Sequence, residues 1–303
     1  MGHSVILPAE RTPSTRGGVA GHSSWQRGSI ERHLARASEP QIARVPGDAE
    51  TQPPVLPQAA GPRRQPILRW LRAAALAAVA VLGLGVIVLW VVTPSGADLQ
   101  ARVTALAARE HATVLRPGEV PPLLAEAVVA AEDERFYQHH GIDVIGLGRA
   151  FLYDVTHHCA CQGGSTITQQ LVKDVYLGGS DGGVDKLADM ALALKVEFPY
   201  TKQQILAGYL SVVPTGYGRY GMANAACADF HRPLAALDLG QLALIAGMPQ
   251  APSAYDPLRH PDLARARRTT VLEAMVDQGY ITPQQASAAD TEAVTLPPAP
   301  GGC

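Results

Sequence analysis

Apolar positions recur at helical spacing through much of the chain. Leu124, Val128 and Ala131, then Ile167, Leu171 and Val175, then Val184, Leu187, Ala191 and Leu194 fall on three- and four-residue steps, the stripe of a helix with one buried face. Glycine-rich breaks at Gly178, Gly179, Gly182 and Gly183, and at Gly216, Gly218 and Gly221, separate the stripes. No set of alternating strands competes with them, so residues 98–295 read as one mainly α domain without internal repeats. Ahead of it, twenty residues from Ala73 to Val92 carry no charge. As a helix they span about 30 Å, the thickness of a hydrocarbon core, which predicts one transmembrane helix over residues 67–93. The run starts too late and is too long for the apolar region of a signal peptide.

Residues 1–66 show neither period. Pro53, Pro54, Pro57, Pro62 and Pro66 break any long element, and a disordered tail is expected there, as it is for residues 296–303. Charge divides along the same line. Residues 1–72 hold ten Arg, no Lys and five acids, a surplus of five, which leaves −7 for the remainder of a chain whose net charge is −2. Arg63, Arg64, Arg69 and Arg72 crowd the N-terminal flank of the apolar run, so the positive-inside rule places the tail in the cytoplasm and everything after Pro94 outside. The near-neutral total argues against nucleic acid as a partner. Aromatics at 5% favour helix over a β-sandwich, and four Cys are too few for a disulfide scaffold.

Three segments carry candidate chemistry. Glu132 lies four residues after Val128 and eight after Leu124, on or beside the core-facing stripe, where desolvation raises a carboxyl pKa towards the range of a general acid or base. The same spacing also fits a helix-end acid paired with Arg135 or Arg149. Gly163-Gly164-Ser165-Thr166 makes a helix start with Ser165 as candidate cap, and Thr166, Gln169, Gln170 and Lys173 follow on the face opposite Ile167, Leu171 and Val175. That stripe reads as a phosphate cradle or as a solvated face. All four lysines lie between Lys173 and Lys202, which favours anion binding. Asp185 and Asp189 share a helix face, as surface acids or as ligands of a cation between them.

Together these segments, from about Pro122 to Gly279, resemble the peptidoglycan glycosyltransferases of glycosyltransferase family 51. The first family motif is similar to Glu132-Asp133 with Phe136, His139 and Gly141, and the second to Gly164-Ser165-Thr166 with Thr168-Gln169-Gln170 and Lys173. Ile205-Leu206 with Tyr209-Leu210, Gly221 with Ala225-Ala226 and Phe230, and Gly247-Met248-Pro249-Gln250-Ala251-Pro252-Ser253 with Asp256-Pro257 follow in the family's order. The resemblance implies an all-α, lysozyme-like domain beside the bacterial inner membrane. It implies polymerisation of lipid II, in which a glycan carried on a polyprenyl diphosphate passes to the GlcNAc 4-hydroxyl with inversion at the anomeric carbon.

By the same resemblance Glu132 is the general base and Asp189 the second catalytic acid. Asp133, His139, Arg149, Ser165, Thr166, Gln169, Gln170 and Lys173 are expected around the sugars and diphosphate, and Lys186 and Lys195 as further cations. The family's Arg-Lys-x-x-Glu stands here as Asp185-Lys186-Leu187-Ala188-Asp189. Asp181 replaces a frequent Arg, and Ser211 a usual Asn. The thinner clamp invites a divalent metal, Mg or Mn, on Asp185 and Asp189. Wall-synthesis or division proteins are the implied partners. None of the four lysines has Ser three positions before it, which predicts a monofunctional enzyme. Two other readings stay open: a lipid II-binding relative weakened by Asp189 and Asp181, and a lysozyme-like hydrolase with Glu132 as acid. His157-His158-Cys159-Ala160-Cys161 is expected as an exposed loop without structural zinc, Cys227 as a core residue and Cys303 as part of the tail.

Overall fold

The computed structural model describes residues 65–158, 163–180 and 182–291, all within one compact unit. The two expected disordered tails, Asp181 and the Cys159 to Cys161 segment lie outside the described residues, except that Gln65 and Pro66 open the first helix. Helix α1 (Gln65–Val92) therefore starts two residues before the expected span, because Pro is tolerated in a first helical turn. Ile67–Val92 is long and apolar enough to cross a membrane, and none of it is buried within the protein.

Ten further helices follow, and no strand appears among the described residues, in agreement with the mainly α expectation. They are α2 (Leu99–Arg109), α3 (Pro122–Glu132), α4 (Val144–His157), α5 (Ile167–Tyr176), α6 (Gly183–Val196) and α7 (Lys202–Val212). After them come α8 (Met222–Phe230), α9 (Leu239–Gly247), α10 (Pro261–Asp277) and α11 (Pro283–Thr291). Two groups pack side by side: α3 and α10 on α9, and α6 and α7 on α5, with α2 against α5 and α7. Beyond its polar first turn α7 is largely apolar, as is α9 apart from Gln241, and both lie inside; every residue from Ile205 to Val212 and from Gly240 to Gly247 is buried.

Capping fixes where the helices begin. Thr166, Thr201 and Asp238 each accept the backbone N–H three residues on, and Gln169, Gln204 and Gln241 reach back to the cap's own N–H. The cap of α5 is thus Thr166 and not Ser165 as expected. Thr166 Oγ1 also donates to the Gly141 carbonyl at 2.7 Å, which holds the first motif against the second.

Gly141 has φ +82°, and a Cβ there would stand 2.6 Å from the Ala193 carbonyl carbon and oxygen on α6. Substitution must push the motif loop off α6 or force a left-handed backbone on a residue with a side chain. Gly141→Ala is expected to lower Tm by roughly 5 °C or more, since about 1 kcal/mol shifts a domain of this size by roughly 2 to 4 °C and both faults act together. Differential scanning calorimetry reads it.

Candidate active site

The last turn of α3, the start of α5 and the middle of α4 enclose a cleft. Its walls include Glu132, Glu134, Arg149, Gly163, Ser165 and Thr166, and one lobe, closed by Gln250 of the fifth motif, holds about 320 Å³. Glu132 ends α3 with its side chain only 9% exposed. Neither ion pair anticipated from spacing forms: Arg135 turns to Asp143 at 3.1 Å, and Arg149 pairs with Glu134.

Instead Gln170 Nε2 donates to Glu132 Oε2 at 3.0 Å, while Tyr209 Oη donates to Gln170 Oε1 at 3.0 Å. The fully buried tyrosine thereby fixes which face of the amide meets the carboxylate. Arg267 Nη2 lies 3.5 Å from Glu132 Oε1, its own side chain also 9% exposed. Burial pushes the Glu132 carboxyl above the usual carboxylate range; the Gln170 hydrogen bond and the Arg267 charge hold it back, and the Asp133 charge raises it further.

Arg267 escaped the sequence reading because it stands 135 positions from Glu132 and interrupts no apolar stripe. A signal existed in the fifth motif. The Arg267 guanidinium donates to the Gly247 carbonyl at 3.2 Å, and a Cβ on Gly247 would meet Arg267 Cγ at 2.7 Å, so the glycine makes room for the arginine. Arg267→Met is expected to move the acid limb of the pH profile of kcat/KM to higher pH, because the carboxylate loses a charge that favours its ionised form. A pH–rate series on both proteins reads the shift, and an unmoved limb would remove Arg267 from the site.

Gln169, the neighbour of Gln170, binds the other acid. Its Nε2 donates to Asp189 Oδ1 at 3.0 Å, and Lys186 Nζ meets Asp189 Oδ2 at 3.1 Å and Ser165 Oγ at 2.8 Å. One turn of α5 so connects Glu132 to Asp189, and Lys186 arrives at the cleft wall through Ser165. Lys173 follows one turn later on α5, half-buried.

Several expectations change. Thr166 and Gln169 are buried, 2% and 3% exposed, Thr166 at the floor of the cleft, so the polar stripe of α5 faces inward at its start. The reason is Asp133, which accepts the Ile167 N–H at 3.0 Å and pins the positive end of α5 to α3. Asp133 also accepts from His139 Nε2 at 2.9 Å, so the pair braces the floor of the cleft that Asp133 lines. Asp189, 2% exposed, is held by Gln169 and Lys186.

Asp185 does not join Asp189 around a cation: it accepts from Ser180 Oγ, and no group of three His, Cys, Asp or Glu side chains among the described residues converges to hold a metal. Lys195 sits at the end of α1, away from the cleft. Ser211 is fully buried between the Leu115 N–H and the Ala207 carbonyl. Cys227 is half-buried and disulfide-bonded, not a plain core residue, and the other three cysteines lie outside the described residues. His157 stacks on Tyr153 at the exposed end of α4.

The model of a family described as Transglycosylase matches residues 99–276. The chain belongs to the transglycosylase family. Among curated relatives, penicillin-binding protein 1A of Escherichia coli (strain K12) is 42% identical over 176 residues, 58% of this chain and 21% of that protein. Penicillin-binding protein 1F of Bacillus subtilis (strain 168) is 39% identical over 178 residues, 59% of this chain and 25% of that protein. Penicillin-binding protein 1A of Streptococcus pneumoniae (strain ATCC BAA-255 / R6) is 45% identical over 170 residues, 55% of this chain and 24% of that protein. The chain thus spans a quarter or less of the length of these relatives, and the matched region contains every element of the transglycosylase cleft.

Proposed function

We propose that this transglycosylase is a membrane-anchored peptidoglycan glycosyltransferase that polymerises lipid II with inversion at the anomeric carbon. The observation that carries the reading is Glu132: a buried carboxyl with a raised pKa, held by the Tyr209 to Gln170 relay in a cleft also lined by Arg149 and the Lys186-held Ser165.

In this reading the 4-hydroxyl oxygen of the acceptor GlcNAc attacks the donor's anomeric carbon while Glu132 takes the hydroxyl proton. The bond from that carbon to the diphosphate oxygen breaks with its electron pair leaving on the oxygen. Lys186 and Arg149 face the developing negative charge. Arg149 is able to exchange partners cheaply, since it is exposed, its partner Glu134 is only half-buried, and surface pairs are worth about 0 to 1 kcal/mol. Asp185 and Asp189 each have a protein partner, and no step is assigned to a metal.

An anchor in the bacterial inner membrane, with the N-terminus cytoplasmic and the cleft outside, is supported by α1 and by its arginine-rich flank. It is supported too by exposed apolar side chains on α4 and α6, among them Phe151 at 69% and Val184 at 77% exposure. The Cys227 disulfide suits an oxidising compartment.

The test is incubation of the full chain with purified labelled lipid II. Long glycan polymer that lysozyme digests supports the proposal. Fragments released from finished cell wall without polymer would make the protein a hydrolase, and saturable lipid II binding without product would make it a non-catalytic binder.

A further inference from the structure

The lysine expected at the diphosphate stands elsewhere. Lys195 Nζ donates to the Trp90 carbonyl at 2.5 Å, the Thr93 carbonyl at 2.7 Å, Thr93 Oγ1 at 2.9 Å and the Pro94 carbonyl at 3.2 Å. It also lies 4.9 Å from the centroid of the Trp90 ring. The Trp90 carbonyl belongs to the last turn of α1, whose carbonyls lack helical partners, and the Thr93 and Pro94 carbonyls follow just beyond it, so a cation there also meets the negative end of the helix. The residue is 9% exposed although it carries a charge. A surface lysine left to solvent explains neither that burial nor the convergence of four acceptors.

A second contact closes the same joint. Gly96, at φ +78°, lets the chain turn from α1 into α2 against Val196, the neighbour of Lys195; a Cβ on Gly96 would stand 2.8 Å from Val196 Cγ2. Beyond the turn, Tyr200 Oη donates to the Ala97 carbonyl at 2.7 Å and Tyr176 Oη to Asp98 Oδ1 at 2.6 Å. Trp90, Thr93, Pro94, Ala97 and Asp98 are therefore each tied to α5, α6 or the segment just after α6, and Gly96 packs on Val196. Helix α6 carries Lys195 at one end and, two turns earlier, Asp189 with Lys186 at the cleft.

We propose that Lys195 is a positioning residue that locks the membrane helix to α6, making anchor and catalytic domain one rigid body and setting the height and tilt of the cleft above the bilayer. A flexible tether would leave the cleft to find the lipid-borne diphosphate by diffusion; a locked joint presents Lys186 and Glu132 at one fixed depth. The proposal rests on the membrane-anchored polymerase reading above.

The test compares full-length wild type, Lys195→Met and Lys195→Arg, each measured in two ways. Hydrogen exchange in phospholipid vesicles reads the joint itself: the Thr93 and Leu99 amides are expected to exchange about tenfold faster in Lys195→Met, and near wild type in Lys195→Arg. Polymer formation from lipid II reads the consequence. Since about 1 Å of misplacement can cost on the order of a hundredfold, Lys195→Met is expected to lose roughly tenfold or more in vesicles, yet less than about twofold in detergent, where no bilayer fixes the depth of the substrate.

Unchanged exchange in Lys195→Met overturns the lock. Equal losses in vesicles and detergent overturn the positioning role and return Lys195 to substrate binding or to fold stability. Full activity in vesicles with a loosened joint overturns the link between joint and catalysis. A wild type inactive in both media refutes the polymerase reading, while the exchange data still decide on the lock.

Discussion

Glu132→Gln is expected to reduce polymer formation from lipid II by about a thousandfold or more, within the range of about 10² to 10⁴ that a general base contributes and towards its upper end because the site is desolvated. Gln keeps the length of the side chain and offers an amide to Gln170, so the relay from Tyr209 can rearrange without leaving a buried acceptor unmet. The loss therefore falls on kcat with little change in KM.

Stability moves the other way. The folded Glu132 holds its proton more tightly than an unfolded glutamate, because burial outweighs the help from Gln170 and Arg267. Between the unfolded value of about 4.5 and the raised folded value the native state binds more protons, so wild-type stability falls as pH rises through that window. Glu132→Gln removes that fall. Its Tm is expected to decline less than that of wild type between pH 4 and pH 7, to an extent moderated by the unpaired Arg267. Wild-type rates in the variant would take the base away from Glu132 and leave the polymerase reading without its central group.

The helices were legible because burial has a period. The stripe at Leu124, Val128 and Ala131 places Glu132 at the inner edge of α3, and Leu124 and Val128 are wholly buried. The uncharged run from Ala73 gave the membrane-length helix to within two residues at its start and one at its end. The inward face of α5 was not legible, since its cause is Asp133, a residue on another helix that captures the Ile167 N–H and draws Thr166 and Gln169 under cover. Spacing within one helix says nothing of such a capture.

Arg267 as partner of Glu132 and Tyr209 as partner of Gln170 were missed for the same reason: a pairing across 135 or 39 positions is set by how α10 and α7 stack on their neighbours. Lys195 was misplaced because clustering in sequence was taken for clustering in space. Lys186 and Lys195 are nine residues apart, two and a half turns, which puts them on opposite sides of α6.

That separation makes Lys186→Met the sharpest probe of the cation at the cleft. Removing a preorganised donor that faces developing charge costs about 10² to 10³ in kcat, and that loss is expected here, with Lys186→Arg retaining part of the rate because it keeps charge without the compact ammonium. A structural effect has to be separated from it. Asp189 has a side chain only 3% exposed, so removing Lys186 deprives a buried carboxylate of a cation although Gln169 still donates to it, while Lys186 itself is 39% exposed and water can replace part of what is lost.

The double variant Lys186→Met with Asp189→Asn removes both charges. If the loss came from a stranded carboxylate, the double variant regains Tm and rate together. If Lys186 meets the leaving diphosphate, it regains Tm and stays about as slow as Lys186→Met. We expect the second outcome, because the ammonium of Lys186 meets Ser165 on the cleft wall and Asp189 supplies no positive charge of its own.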